Sequence, residues 1–504
     1  MFDGDLAEAG INSPGQLIAR EIVSTKSTAR IVDWTDPRGE VWRLTIPATV
    51  YPPRQDTSLL ALALDEITSK QGGDFLEIGC GSGAVSLYAH DTGWNVVACD
   101  INPYAVAATR GLAESHAAEH LDVVEGGLEP GIGLDPRLSA SGPYDVIAWN
   151  LPYLKEPCDG QRLGPLEEAS LSQSTIEDGR PLDALLRLAI ERDPTILRAS
   201  GVVLLVHNDR DSGRMITSRW RRSGWASREI RSATQADGER LVATACWRPW
   251  HLADMEHAAS LTSTNSHLLE SDSPIGTLLT CEHQTAGRGQ RGRTWEDFGA
   301  GWAGSWMLDA STTPGLAQLA AGVAVCEAIA AIEDRVTHSF DMAADEASRL
   351  YLRWPNDVMF EDKKVCGILA QARTRGKEMR LVLGIGVNLG DVTEEQSERV
   401  GGAAGLLQAT SVEFDRFEWT TVLHACMASW FEQQEMLGSG DREACIRPWW
   451  MLASKHLSVS VPTKSGYDFR VIGVDQDGAL RLVDEEERLD SAESTFESFE
   501  IEWL

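Results

Sequence analysis

The apolar residues of the chain fall into two large blocks and one small block. In the two large blocks, short apolar runs alternate with helix-length segments, and a boundary lies near residue 250. The small block begins near His456, where three alternating runs are joined by glycine-containing turns, as in a small antiparallel barrel. We therefore predict an unassigned segment over residues 1–40, an α/β domain over 41–250, an α+β domain over 257–453 and a β-barrel over 456–504.

The most apolar stretch of the chain, residues 315–332, contains Gln318 and Glu327 among many alanines. A membrane span needs about 20 strongly apolar residues, so we interpret this stretch as a buried core helix. The first residues are acidic and lack a basic segment followed by an apolar run, so no secretory signal is expected. We predict a cytoplasmic protein that does not bind a membrane.

The charge of the chain is strongly negative, with 76 acidic against 45 basic residues and a net charge of -31. An acidic surface repels a phosphate backbone, which argues against a general nucleic-acid binder. The nine cysteines are scattered without a Cys-x-x-Cys pair. This usage favours reduced thiols over a disulfide framework, and no metal site is predicted.

The densest candidate for chemistry is the segment 284–295, in which three glycines alternate with three arginines. Glycine permits close approach of the backbone, and guanidinium groups donate paired hydrogen bonds to phosphate or carboxylate. On its own, such a segment is also compatible with a flexible basic surface loop.

Further unusual positions follow in the same block. Two apolar runs, 363–369 and 381–389, carry glycine or polar residues where a buried strand normally has apolar ones. These positions are Lys364, Gly367, Gly384, Gly386 and Asn388. Glycine in a strand leaves room for a ligand to lie against the sheet, so we expect a binding surface here.

In order along the chain, these motifs resemble those of the biotin protein ligase family. They are Ser263-Thr-Asn265, the Gly/Arg loop, Trp354-Pro-Asn-Asp357, Lys364-Val-Cys-Gly367 and Gly384-Ile-Gly-Val-Asn388. The resemblance covers about residues 257–504 and implies an α+β catalytic domain followed by a small SH3-like barrel. It also implies two reactions: biotin and ATP give biotinyl-adenylate and pyrophosphate, and a lysine of a biotin carboxyl carrier protein or carboxylase domain then attacks the adenylate.

The same resemblance assigns roles to individual residues. The biotin head group would be held by Ser263, Thr264, Asn265 and Gln284. Arg288 would contact the biotin carboxylate and the phosphate, and Lys364 would neutralise charge where the carboxylate attacks the α-phosphate. Asn356 and Asp357 would help to position ATP and the Mg²⁺ that accompanies it. The predicted biotin and ATP site is completed by Gly287, Gly289, Gln290, Arg293, Trp295, Gly367, Gly384, Gly386 and Asn388.

Some members of this family carry an N-terminal helix-turn-helix and repress transcription. A different kind of domain precedes Thr262 in this chain, so we predict no binding to operator DNA.

The first block contains a second candidate site. The run 75–84 predicts a strand that leads into a Gly-x-Gly-x-Gly turn and a helix, and the next strand ends on Asp100. An acid at that strand end can accept both ribose hydroxyls of a nucleoside. The spacing fits neither a dinucleotide site nor a P-loop.

A further strand ends in Asn150-Leu-Pro-Tyr153. The Asn carboxamide oxygen and a rigid backbone carbonyl are both acceptors and lie beside an aromatic ring, a set that grips a planar –NH₂ group. Alone, the tetrapeptide is also compatible with a simple turn that closes a strand.

Together these motifs resemble class I S-adenosylmethionine-dependent methyltransferases, and more narrowly the HemK-like enzymes that methylate a glutamine of translation release factors. Segments 50–60 and 177–183 support the narrower likeness, which covers about residues 40–248 and implies a Rossmann-like domain. The catalytic residues would be Asn150 and Tyr153. The implied S-adenosylmethionine site consists of Asp56, Thr57, Glu77, Gly79, Gly81, Gly83, Asp100 and Asn150.

Two positions depart from the methyltransferase pattern. Leu151 replaces the first proline of Asn-Pro-Pro-Tyr, and Gly126-Gly127 replaces an acid that would contact the adenine amino group. Two alternatives therefore stay open for the first block: a domain that binds the cofactor without turnover, and a nucleic-acid adenine methyltransferase. The acidic charge of the chain and the lack of an evident target-recognition insert argue against the second.

One departure in the ligase motif gives a prediction. Gln290 stands where bacterial members often have arginine, so the hold on the adenylate phosphate is weaker by one charge. We expect Gln290→Arg to slow the release of biotinyl-adenylate by about tenfold. Equal release rates for the wild type and the variant would contradict this expectation.

Overall fold

The computed structural model describes residues 29–67, 72–129, 133–152, 180–210, 213–236, 238–289, 294–296, 298–299, 301–334, 350–375, 378–441, 443–457, 460–462 and 468–484. The chain divides into two compact units. The first comprises residues 1–216, 228–247 and 435–437, and the second comprises 217–227, 248–434 and 438–504.

The first unit is built on a seven-stranded sheet. Its strands and hairpins are β1 Arg30–Thr35, β2 Val41–Ile46, β3 Asp74–Ile78, β4 Asn95–Asp100, β5 Leu121–Glu125, β6 Leu128–Glu129, β7 Gly133–Leu134, β8 Tyr144–Asn150, β9 Leu197–Asn208, β10 Ala226–Thr234 and β11 Arg240–Trp247. Its helices are α1 Gln55–Asp65, α2 Ala84–Asp91, α3 Pro103–Ser115, α4 Pro136–Ala140 and α5 Leu182–Arg192. A 3₁₀ turn, Gly213–Met215, precedes helix α6, Ile216–Arg222, which from Thr217 onward belongs to the second unit.

The strand order in this sheet is β10-β11-β9-β8-β3-β4-β5. Strand β3 pairs in parallel with β4 and with β8, and only β11 pairs antiparallel with β9 among the pairings described. The carboxyl ends of β8, β3 and β4 therefore meet at one edge, which is where open α/β sheets bind ligands. The predicted α/β architecture of the first unit is confirmed.

The second unit contains another seven-stranded sheet, in the order β12-β13-β14-β18-β17-β16-β15. Its strands are β12 Met255–Leu261, β13 Leu278–Gln284, β14 Gly301–Leu308, β15 Leu350–Arg353, β16 Asp357–Phe360, β17 Lys363–Arg375 and β18 Glu378–Asn388. Two short strands follow, β19 Gln433–Gln434 and β20 Gly438–Ser439. The helices are α7 Thr264–Glu270, α8 Pro314–Ile332, α9 Glu394–Arg399, α10 Leu406–Thr410, α11 Arg416–Phe431 and α12 Ile446–Leu457, with a 3₁₀ turn at Glu443–Cys445.

Helix α8 forms the core of the second unit, as the sequence predicts. By length and composition it could cross a membrane, but 94% of its most apolar window is buried inside the structure. Its two polar side chains have partners: Gln318 accepts a hydrogen bond from the Ala370 amide at 3.3 Å, and Glu327 accepts one from the Trp430 indole at 2.9 Å. An ion pair with Arg221 at 3.0 Å neutralises the buried Glu327 carboxylate.

The last block forms a three-stranded antiparallel sheet of β21 Ser460–Pro462, β22 Asp468–Val474 and β23 Leu480–Asp484. These strands match the three alternating runs of the sequence. Three strands do not close a barrel, and residues 485–504 lie outside the described part, so the barrel stays a prediction.

Candidate active sites

A cavity of about 280 Å³ lies over the sheet of the second unit. Its size is close to the lower end of the ~300–1,000 Å³ usual for small-molecule sites. Most residues predicted for the biotin and ATP site line it: Ser263, Thr264, Asn265, Gln284, Arg288, Gly289, Trp295, Asn356, Asp357, Lys364, Gly367, Gly384, Gly386 and Asn388. The structure thus brings these residues together, and their roles in binding stay predictions.

One end of the cavity is polar and closely hydrogen-bonded. Ser305 Oγ lies 2.7 Å from Thr264 Oγ1 and 2.6 Å from Asn265 Oδ1, and all three residues are buried. The Thr264 amide donates to Gln284 Oε1 at 2.9 Å, and Asn265 Nδ2 donates to Gln371 Oε1 at 2.9 Å. Fixed donors and acceptors of this kind suit a planar cyclic urea, which has both N–H and C=O groups.

The floor of the cavity is made of glycine. Gly386 pairs with Gly367 across β17 and β18, and Gly384 pairs with Leu369, so the three glycines share one face of the sheet. A Cβ added at Gly384 would lie 2.1 Å from Asn265 Oδ1, and one at Gly386 would lie 2.6 Å from the indole of Trp295. Any side chain at these positions would therefore fill the binding space.

The other end of the cavity is charged. Lys364 Nζ lies 2.5 Å from Asp357 Oδ1, and Arg353 Nη2 lies 2.7 Å from Asp357 Oδ2. Burial opposes ionisation of Asp357, but Lys364 and Arg353 outweigh it and lower the pKa of this carboxyl. Two cations share one carboxylate, so this end keeps a net positive charge that suits a carboxylate or phosphate ligand.

The main chain of Lys364 is fixed by a distant segment. Its amide donates to the Gly402 carbonyl at 3.2 Å, and its carbonyl accepts from the Ala404 amide at 3.1 Å. Asn388 Nδ2 donates to the Ala404 carbonyl at 3.2 Å, while the buried Asn388 Oδ1 has no partner among the described residues. The lysine is therefore placed by long-range pairing as well as by its own strand.

The Gly/Arg loop is only partly described. Arg288 forms a β-bridge with Thr294, and the Trp295 amide donates to the Gly287 carbonyl at 3.0 Å, which places the indole over the glycine floor. Gly287 accepts this hydrogen bond from Trp295 but does not line the cavity. Gln290 and Arg293 lie outside the described residues.

The metal that would accompany ATP has no ready-made cage in the described part of the chain, where no group of three or more His, Cys, Asp or Glu side chains is found. Asp357 is one carboxylate already shared by two cations. A Mg²⁺ that arrives on the triphosphate therefore stays a prediction.

Several lining residues escaped the sequence analysis. They are Arg353, Glu296, Phe298, Gly304 and the segment 400–403. Arg353 stands directly before the Trp-Pro-Asn-Asp motif, so the sequence offered it as a further cation of the site. The segment 400–403 reaches the cavity only through its pairing with Lys364, and no local pattern reveals that contact.

The second candidate site lies at the carboxyl edge of the first sheet. The three turn glycines, Gly79, Gly81 and Gly83, have φ of 71°, 53° and 80°, which favours glycine at each. The Gly81 amide donates to Asp100 Oδ2 at 2.9 Å, and the Asn102 amide donates to Asp100 Oδ1 at 2.9 Å. Burial raises the pKa of the Asp100 carboxyl, and these backbone donors oppose the shift.

Glu77 lies beneath the glycine turn and is 4% exposed. Burial raises the pKa of its carboxyl to about 8, while a hydrogen bond from the Ser86 hydroxyl opposes the shift. This shift favours the protonated form of Glu77 at neutral pH.

The remaining predicted residues lie on both sides of this edge. Thr57 and Asp56 begin helix α1, where the Thr57 amide donates to Asp56 Oδ1 at 2.7 Å. Asn150 ends β8, and its Oδ1 is buried without a partner among the described residues. An unsatisfied acceptor at a sheet edge costs free energy unless a ligand donates to it. Tyr153 lies outside the described residues.

The glycine floor gives a prediction. The Cβ of Gly384→Ala would displace the Asn265 carboxamide that Ser305 contacts. We expect biotin affinity to fall by roughly 10- to 100-fold, because at least one buried hydrogen bond is lost. Isothermal titration calorimetry measures this, with Ser305→Ala as the control that removes the same hydrogen bond without filling the floor. Unchanged affinity in Gly384→Ala would contradict the floor assignment.

Comparison with known proteins agrees with this geometry. Residues 258–388 match the Biotin/lipoate A/B protein ligase family, and residues 76–134 match a Methyltransferase domain family. The bifunctional ligase/repressor BirA of Bacillus spizizenii is 30% identical over 175 residues, which is 33% of this chain and 49% of that protein. The biotin–[acetyl-CoA-carboxylase] ligase of Paracoccus denitrificans is 29% identical over 232 residues, which is 44% of this chain and 92% of that protein.

The first unit has a relative of its own. The release factor glutamine methyltransferase of Deinococcus radiodurans is 32% identical over 196 residues, which is 38% of this chain and 64% of that protein. The chain thus spans about half the length of the BirA relative and under two thirds of the methyltransferase relative. Residues 76–134, in the first unit, are thus similar to a methyltransferase domain, and residues 258–388, in the second, are similar to the biotin/lipoate protein ligase family.

Proposed function

We propose that the second unit is a biotin protein ligase that forms biotinyl-5'-AMP from biotin and ATP and transfers biotin to a carrier-protein lysine. One observation carries the proposal: a single cavity joins a polar end suited to a cyclic urea, a glycine floor and a cationic end built around Lys364. That order of features matches the order of groups in biotin, from its ureido ring to its carboxylate.

In the first step, a carboxylate oxygen of biotin attacks the α-phosphorus of ATP, and the bond to pyrophosphate breaks. Negative charge accumulates on the non-bridging oxygens of that phosphorus. Lys364 and Arg288, both in the cavity lining, supply positive charge there. Fixed cations in a site that excludes water stabilise such a transition state by several kcal/mol.

In the second step, the neutral amine of a carrier lysine attacks the acyl carbon of the adenylate. An amide bond forms, AMP leaves and the amine loses a proton. The relatives that are named as acetyl-CoA-carboxylase ligases support a carboxylase carrier as the acceptor.

The ligase proposal is tested by mixing the purified chain with biotin, Mg-ATP and a biotin carboxyl carrier domain. We expect intact-protein mass spectrometry to show biotin on the carrier, and Lys364→Ala to reduce the rate at least 100-fold because the cation at the reacting carboxylate is lost. Lys363→Ala is the matched control, since Lys363 is the neighbouring lysine and pairs only loosely with Glu394 at 3.7 Å. Equal loss in both variants, or no transfer to several carriers by the folded wild type, would overturn the proposal.

For the first unit we propose an S-adenosylmethionine-dependent methyltransferase that acts on a planar amide or amine. The Oδ1 of Asn150 at the sheet edge supports this, because it is buried without a partner among the described residues and such an acceptor suits an N–H of the methyl acceptor. The Deinococcus relative supports a release-factor glutamine as the acceptor. A unit that binds the cofactor without turnover is the alternative, which the two departures at Leu151 and at Gly126-Gly127 favour.

The methyltransferase proposal is tested with labelled S-adenosylmethionine and a translation release factor as acceptor. We expect transfer by the wild type and a loss of at least 100-fold in Asn150→Ala, since the acceptor nitrogen is then no longer aimed at the methyl donor. Full transfer by Asn150→Ala would refute the role of this residue. Tight cofactor binding without transfer to protein or nucleic acid would favour the non-catalytic alternative, and transfer to adenine in DNA would favour a nucleic-acid enzyme.

Other predictions from the sequence stay proposals. They are the boundaries at residues 41–250, 257–453 and 456–504, the SH3-like barrel, the cytoplasmic location, the accompanying Mg²⁺, and the absence of operator binding.

A further inference from the structure

The segment 217–227 belongs to the second unit, although along the chain it follows β9 and leads into β10, two strands of the first sheet. It comprises most of helix α6 and the turn after it. The segment lies outside residues 258–388, the region similar to the biotin/lipoate protein ligase family. The second unit therefore includes a piece of chain that its family match does not cover.

A buried ion pair joins this segment to helix α8. Arg221 Nη1 lies 3.0 Å from Glu327 Oε2, and the two side chains are 7% and 6% exposed. The same carboxylate oxygen accepts from Trp430 Nε1 at 2.9 Å, and Arg221 Nη2 donates to the Ser227 carbonyl at 3.1 Å. Removing one partner of a buried pair leaves the other charge uncompensated, which is strongly destabilising. Glu327 therefore depends on Arg221.

The segment is also fixed to helix α11. The Ser227 amide donates to the Ser429 hydroxyl at 3.0 Å, and both residues are buried. That hydroxyl donates in turn to the Ala425 carbonyl at 2.7 Å. A Cβ added at Gly224 would lie 2.8 Å from Thr421 Cγ2, so the turn packs closely on the helix. The segment thus contacts both long helices of the second unit.

Helices α8 and α11 also contact the strands that form the cavity. A Cβ added at Gly322 in α8 would lie 3.8 Å from Ile368, which lines the cavity. In α11, Thr420 Oγ1 accepts from the Trp302 indole at 2.8 Å. A Cβ added at Gly304, another lining residue, would lie 2.4 Å from that indole. The two helices therefore support β14 and β17, the strands that carry these lining residues.

We propose that Arg221 is a positioning residue of the ligase site: by neutralising Glu327 it holds α8 and α11 in the arrangement that places the strands of the cavity. The inference rests on the proposed function of the second unit, and it makes the segment 217–227 a necessary part of that enzyme. A ligase unit cut from the chain near residue 250 would lack this counter-charge.

The test uses the full chain with Arg221→Met, which keeps an apolar stem and removes the charge. Hydrogen–deuterium exchange, read by mass spectrometry on peptides from 314–332 and 416–431, reports the two helices directly. We expect exchange in these peptides to become roughly 10- to 100-fold faster, because the unpaired carboxylate favours local opening. Biotin affinity, measured by isothermal titration calorimetry, should fall by about tenfold or more, since the cavity is then less often assembled.

A second variant distinguishes lost charge from lost packing. In Arg221→Met with Glu327→Gln, the glutamine keeps an oxygen acceptor for the Trp430 indole but carries no charge. We expect exchange and biotin affinity to return to within about threefold of the wild type. Arg222→Met is the matched control, because this neighbouring arginine pairs with Glu418 at 3.2 Å on the surface, where such pairs contribute little.

Each outcome decides the proposal. Unchanged exchange or unchanged biotin affinity in Arg221→Met, an equal effect of Arg222→Met, or a loss that Glu327→Gln does not restore overturns the positioning role. An Arg221→Met chain that fails to fold, beside a double variant that folds and binds biotin, supports it. A folded wild type that binds no biotin, with the expected pattern of exchange, overturns the proposed ligase and leaves the support of α8 by Arg221 standing.

Discussion

A ligand can lie against a β-sheet only where side chains are missing, and the second unit depends on this constraint. One face of β17 and β18 lacks side chains at Gly367, Gly384 and Gly386. The register of those strands places this open face between Asn265 and Trp295. Glycine in a strand interior weakens the sheet. Strand β18 lies between β14 and β17 and is hydrogen-bonded on both sides, which compensates for this loss of stability. The same strands therefore provide the binding space and keep the sheet stable.

The positive charge in the cavity contrasts with the negative net charge of the whole chain. A net charge of -31 repels phosphate-bearing ligands at long range, yet the charged end of the cavity concentrates Lys364 and Arg353 around Asp357. Salt screens the distant acids over about 8–10 Å, whereas the enclosed cations act at contact distance with little screening. An anion in the cavity is thus recognised by the cations that line it. The acidic surface repels polyanions without weakening that recognition.

The sequence predicts a feature of this structure well when the contacts that form it are close together along the chain. Glycine turns, the apolar helix α8 and the motif from Ser263 to Asn265 are local patterns, and the structure places them as expected. Ser305 and the segment 400–404 reach the cavity through strand register and long-range backbone pairing, which no single window of sequence contains.

The excursion between Gly390 and Gly405 begins and ends at one point. A Cβ added at Gly405 would lie 1.6 Å from the Gly390 carbonyl oxygen, so the two ends of the excursion touch. Within it lie helix α9 and the residues that pair with Lys364, so the segment continues from β18 and is also hydrogen-bonded to β17. Residues 400–403 also line the cavity, so a change in the length of this segment alters the wall of the cavity as well as the support of Lys364.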